Sequence, residues 1–181
     1  DWKTYDLFQH QLFPGSADSN NPNVANPEAP YLVATPYGEM FDVLLSNASA
    51  NALQAYPDIL LVGDIHFDAG FVDSLADALA SGSRLLLQQD HINALGTSDF
   101  DRLQNAGEVT TLSEWANPAT GRPAAISNSM LRQLNQRHLP VAVTGDPVQY
   151  QVNRNEEGWV VELINNSGVV KVPHLPAVID P

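Results

Sequence analysis

Hydrophobic and polar positions recur with different periods along this chain, and the periods mark its elements. Residues 59–62 (ILLV) form a short aliphatic run that stops at Gly63-Asp64. Residues 70–81 then place Phe71, Leu75 and Leu79 four apart, with Val72 and Ala76 beside them. This is one apolar stripe at a 3.6-residue period, which predicts an amphipathic helix. Ser81-Gly82 ends it, because glycine takes the left-handed conformation at a helix C-terminus at little cost. Residues 85–87 (LLL) are the next aliphatic run. Two continuous apolar strands joined by such a helix predict a right-handed βαβ unit in a sheet buried on both faces. Function in these sheets gathers just past the strand carboxyl ends, at residues 63–68 and on a turn at 88–91.

The flanking pattern is less regular. Residues 1–30 open with an aromatic-rich patch (Trp2, Tyr5, Leu7, Phe8, Leu12, Phe13) and pass into a Pro/Asn/Ser stretch with loop chemistry. They are expected to be a lead-in or a linker from a preceding domain. A short strand is predicted at 31–35, the start of a helix at 39–45 and a helix at 48–55. After the βαβ unit, Ser98 or Asp99 caps a short helix through Leu103, closed by Gly107. A strand is predicted at 109–112 and a loop at 115–123. A helix follows at 124–138, with Ile126, Met130, Leu131 and Leu134 inward, and then a strand at 141–144. From 148 onward the period drops to two, at 148–152, 159–164 and 169–172, with turns at 153–158 and 165–168. This predicts a three-stranded antiparallel meander. Residues 173–181, with three prolines, leave as an extended linker toward a further domain.

Composition narrows the classes. The chain has 181 residues and is 44% hydrophobic, enough for one globular α/β domain with a core, here residues 31–172. Twenty-one acidic against 8 basic residues give a formal net charge of −13. Nucleic acid and anionic membranes are poor partners for such a surface. No apolar run is long enough to span a bilayer. The absence of cysteine removes disulfides, zinc-thiolate sites and thiol nucleophiles. A soluble, acidic, cysteine-free chain fits a secreted or periplasmic bacterial protein.

Four chemistries bear on the motifs. Asp64 and His66, two apart after a strand, match the first ligands of a dinuclear metallophosphoesterase, with Asp90 and His91 as companions. The remaining segments such a site needs do not follow: Gly145-Asp146 lacks the arginine, and Asp90-His91 is no Asn-His pair. A polar strand-end loop is the better account of these residues, since polar residues collect at strand ends in any case. A Ser/His/Asp triad lacks its nucleophile elbow, and no phosphate-binding glycine loop occurs. Trp115, with Glu114 beside it, could stack on a sugar ring as a carbohydrate-binding module would, although such aromatics more often serve a core or interface. Ligand contact is thus expected of Asp64, His66, Gln89, Asp90, His91 and Trp115, with neither a metal nor another cofactor required. Asn47 and Asn165 open Asn-x-Ser sequons, which matter only in a eukaryotic source.

At residues 56–87 the layout resembles the class I glutamine amidotransferase-like, flavodoxin-like domain of bacterial glycoside hydrolases, of which the β-galactosidase trimerisation domain is the best known. Leu53, Tyr56, Leu75, Leu79, Ser81-Gly82 and Leu85 to Leu87 carry the resemblance. The segments TPYGEMFDVLLSNAS and GWVVELINNSGVVK are similar to those flanking that domain in large polysaccharide-active proteins. The resemblance covers residues 31–171. It implies a three-layer sandwich with a mostly parallel sheet. An amidotransferase needs a cysteine on the turn after a central strand, and here that turn reads Gln88, Gln89, Asp90, His91. The resemblance therefore implies a non-catalytic accessory domain of a multidomain glycoside hydrolase. Such a domain would pack on other domains of its polypeptide, support a homo-oligomer or rim a polysaccharide cleft.

Overall fold

The computed structural model describes residues 1–13, 35–38, 40–143, 148–164, 169–170 and 178–179. The chain divides into two compact units, one built from residues 1–4, 42–117 and 121–125, the other from 5–41, 118–120 and 126–181.

The first unit is the predicted βαβ pattern extended by one strand. Strand β1 (Asp58–Leu60), helix α1 (Ala69–Ala80), strand β2 (Arg84–Gln88), helix α2 (Gln89–Ala106) and strand β3 (Glu108–Leu112) follow in order. The sheet runs β1-β2-β3, parallel throughout, with Ile59 opposite Leu85 and Leu85 opposite Val109. Helix α1 starts where Asp68 turns its carboxylate back onto the Phe71 N–H at 2.8 Å, an N-cap that satisfies one orphan amide. Its stripe of Phe71, Val72, Leu75, Ala76 and Leu79 is buried against Leu85 and Leu87 of β2, with Leu95 and Leu103 of α2 in the same core. Both crossover helices thus cover the face to which Leu85 and Leu87 point. A sheet wound in sequence order with crossovers of one hand places its helices on one side. Leu86, on the opposite face, is equally buried.

At the amino ends of the strands Arg84 ties the sheet together. Its guanidinium bonds Asp58 of β1 at 2.6 Å and reaches Glu108 of β3 at 3.7 Å, and the three residues stand in register across the sheet. The bond from Asp58 raises the Arg84 pKa against the opposing effect of burial.

The turn expected at 88–91 does not exist. Gln88 ends β2, and Gln89, Asp90 and His91 form the first turn of α2. The short helix expected from 98 or 99 to 103 is the second half of this longer element. Gly96, at φ 74°, breaks α2 into two segments, in a conformation a side chain would disfavour. Residues 115–123, expected as a loop, close a small hairpin: β4 (Trp115–Ala116) pairs antiparallel with β5 (Pro123–Ala124). Of the helix expected at 48–55, one turn is present, α3 (Ala50–Leu53), with Ser49 as its N-cap. The helix expected from 39 is absent at 40–45, where Val43, Leu44 and Leu45 are exposed. An apolar run without a surface to pack on lacks the main stabiliser of a short helix.

Residues expected as a lead-in are helical, residues 1–4 belonging to the first unit and the rest to the second. Residues 2–6 are α-helical across the start of the chain, and Leu7–Leu12 continue as a π-helix with Leu7, Gln11 and Leu12 buried. Helix α4 (Asn128–His138) is shorter than the expected 124–138. Ser127 caps it by accepting from the Met130 N–H, and the apolar residues before it belong to β5 and its exit. Leu131, Leu134 and Asn135 are its buried positions, while Met130 is only half-buried. Asn135 donates to the Tyr37 carbonyl at 2.5 Å and lies 3.4 Å from the Tyr150 hydroxyl. Gln11 donates to the Ile126 carbonyl and to Asn128.

Strands β6 (Gln149–Asn155) and β7 (Gly158–Ile164) form a hairpin whose turn is only Glu156-Glu157, tighter than the expected 153–158. Asn155 accepts from the Glu157 and Gly158 amides, the local bonding that favours asparagine in turns. The third strand of the expected meander does not join it. Among the described residues, β8 (Val169–Val170) pairs instead with β9 (Val178–Ile179), which lies where an extended linker was expected. No strand forms at 141–143. Residues 14–34, Glu39 and 144–147, with 165–181 apart from 169–170 and 178–179, lie outside the described residues, so the expectations there stay open.

The architecture is mixed α/β, with a three-stranded parallel sheet and antiparallel two-stranded sheets.

Candidate functional site

Within the first unit, the carboxyl ends of β1 and β2 open onto a cleft of about 390 Å³. That volume lies within the ~300–1,000 Å³ common to small-molecule sites. The position is where parallel sheets place their ligands, because successive strand ends and helix starts leave a crevice there. The cleft is walled by the strand ends (Gly63, Asp64, Gln88), by the first turn of α2 (Asp90, His91), by Asp1 to Lys3, and by Arg122 and Pro123 of the β4–β5 hairpin.

Each wall is fixed by a named interaction. His91 is buried, and both of its ring nitrogens are used. Nδ1 faces the Gln88 backbone N–H at 3.2 Å and can only accept there, so Nε2 carries the proton and donates to the Gly63 carbonyl at 2.8 Å. The imidazole is therefore neutral and staples the loop after β1 to the start of α2. Burial pushes its pKa down, against the opposing effect of the Gly63 carbonyl. Gln88 spans to the Ala124 carbonyl at 3.0 Å, holding the hairpin to β2. Lys3 pairs with Asp90 at 2.5 Å, and that bond holds the Asp90 carboxyl below the usual carboxylate range. The Arg122 guanidinium sits 3.9 Å over the Trp2 indole, a cation–π contact. Gly63, at φ 87°, has no room for a side chain: a Cβ there would meet Thr4 Oγ1 at 2.6 Å.

Of the residues expected to contact a ligand, the cleft gathers Asp64, Asp90 and His91. His66 is exposed on the loop after β1 and is not part of the wall. Gln89 points elsewhere, to Asn93 at 3.0 Å. Trp115 is half-buried in β4 and does not line the cleft. Asp68, in the same loop, is engaged as the α1 cap. Among the described residues no three His, Asp or Glu side chains come together as a metal site would require. With both nitrogens of His91 engaged, the set Asp64, His66, Asp90 and His91 does not assemble as metal ligands.

Sequence reasoning missed Asp1, Trp2, Lys3, Arg122 and Pro123. None carries a local signal, since each reaches the cleft through long-range packing. The one available hint was the pairing of Trp115–Ala116 with Pro123–Ala124, which brings residue 122 back toward the sheet.

No known protein family, curated protein or solved structure matches this chain.

Proposed function

We propose that this chain is a non-catalytic, glutamine amidotransferase-like accessory domain of a multidomain, secreted or periplasmic polysaccharide-degrading protein, a glycoside hydrolase. In this reading its parallel sheet is the centre of a flavodoxin-like three-layer sandwich. The observation that carries the reading is the start of α2. An amidotransferase of this layout needs an activated thiol after the central strand. Here the place is taken by Gln88 to His91, and His91 spends both nitrogens on backbone groups. A neutral, doubly bonded imidazole has no lone pair left to activate a nucleophile. Exposed apolar residues on β7 and at 43–45 add support, since uncovered apolar surface serves packing against other domains or a second copy.

The test is deletion. Removing these residues from the parent protein is expected to change its oligomeric mass or its interdomain packing, read by light scattering and small-angle scattering. The chain by itself is expected to release no ammonia from glutamine and to cleave no glycoside. Turnover of either would overturn the reading.

A further inference from the structure

The cleft beyond β1 and β2 has a charge pattern that selects among ligands. Three side-chain carboxylates (Asp1, Asp64, Asp90) and two side-chain cations (Lys3, Arg122) line it. His91 adds no charge, because its bonding fixes the neutral form. Both cations already have a neighbour on which their charge acts, Lys3 on Asp90 and Arg122 on the Trp2 ring. An anionic ligand would therefore meet a surplus of negative charge, on a chain of net charge −13. A metal ion would find no three carboxylate or imidazole groups together among the described residues.

What remains well suited is a ligand that both donates and accepts hydrogen bonds and carries no charge. Hydroxyl groups do this: each donates to a carboxylate such as Asp64 and accepts from an ammonium such as Lys3. The Pro123 ring, beside the Trp2 indole that Arg122 covers on one face, supplies apolar surface for the C–H face of a saturated ring. Resting on the accessory-domain reading above, we propose that this cleft is a subsite for a short stretch of neutral glycan, with Trp2, Lys3, Asp64 and Asp90 as its contacts. Trp115, the aromatic first expected to touch sugar, is not part of it.

The experiment is titration of the ¹⁵N-labelled 181-residue chain with neutral tetrasaccharides of β-linked glucose, xylose, mannose and galactose, and with sulfated counterparts. At least one neutral probe is expected to give saturable amide shifts centred on Gly63, Asp64 and Asp90, with the Trp2 indole N–H shifting as well. Asp64→Asn, at the surface, and Lys3→Gln, half-buried with its Asp90 partner exposed, are expected to weaken it about tenfold while leaving the unfolding temperature in place. Three results overturn the proposal: no saturable shift up to about 10 mM, a concentration that tests even millimolar affinity; shifts centred on Trp115 or Trp159; or tighter binding of the sulfated probes. A cleft silent to all probes, with the parent still dissociating on deletion, removes this proposal and leaves the accessory reading standing. Glycan binding without any effect of deletion does the reverse.

Discussion

Strands β2 and β7 are both rich in large aliphatic residues, and the protein treats them oppositely. Leu85, Leu86 and Leu87 of β2 are fully buried, whereas Trp159, Val160, Val161, Leu163 and Ile164 of β7 are 36–62% exposed. The difference lies in what covers them. Strand β2 is flanked by β1 and β3 through parallel bonds, and its Leu85 and Leu87 face receives α1 and α2. Among the described residues strand β7 pairs with β6 alone, and Tyr150 is the buried anchor of that hairpin. One face of the hairpin carries Val152, Trp159, Val161 and Leu163 beside Tyr150, because cross-strand partners share a face. Apolar content makes burial profitable, but neighbouring elements have to provide the cover.

The sharpest way to break this comparison is to truncate both strands. Leu85→Ala is expected to cost about 2–5 kcal/mol, the range for emptying a packed leucine site. Urea unfolding of the two proteins checks it. Gly107→Ala comes next, at about 1–3 kcal/mol, the usual cost of overpacking. The added Cβ would lie 2.7 Å from the Leu79 carbonyl oxygen, so α1 and the turn into β3 would have to separate. A thermal melt no lower than wild type would mean that the helical layer of the first unit is looser than its packing implies.

In the second unit, Ser127→Ala removes the α4 cap and is expected to cost about 1 kcal/mol. Circular dichroism during denaturation reads both the loss and any fraying. The smallest effect is expected at the exposed face: Leu163→Ala should change the stability of this chain by no more than about 0.5 kcal/mol. A cost equal to that of Leu85→Ala would show that β7 is covered in solution and would end the contrast.

His91 sharpens the first half of the comparison through pH. Its pKa is depressed in the folded protein, chiefly by burial, so the unfolded chain binds more protons. Stability from this group is full above the ordinary histidine value of about 6.5 and is lost as pH falls through that value toward the lower folded one. His91→Gln, which does not titrate, is expected to flatten the fall in stability between pH 7.5 and 5.5. Asp90, depressed by Lys3, acts only in the acid range, below the ordinary carboxylate value, and does not overlap this window. An unchanged slope in the glutamine variant would place the imidazole outside the folded core.

Much of the parallel half was legible. Periodicity located β1, α1 and β2 within about two residues, since each carries an unambiguous apolar run, and β3, whose only apolar residues are Val109 and Leu112, was read to the same margin. The first half of α2 was not legible. Residues 89–91 are polar, and the start of their helix is marked by the bond between the Gln88 N–H and His91 rather than by an apolar stripe. Gly63, Asp64, Gln88, Asp90 and His91 fall within the strand-end stretches 63–68 and 88–91 read from sequence, while Trp2, Lys3 and Arg122, brought in by long-range packing, could not be placed.

By itself the sequence determined the alternation of aliphatic runs and amphipathic helix that makes a parallel sheet, the acidic surface, and the exclusion of thiol chemistry. Those properties follow from side-chain type and local spacing. Tertiary structure alone decided that His91 is a neutral staple between Gly63 and α2, and that residues 1–3 and 122–123 complete a cleft. Each of these depends on groups distant in the chain meeting at hydrogen-bonding range, and no local period encodes such a meeting.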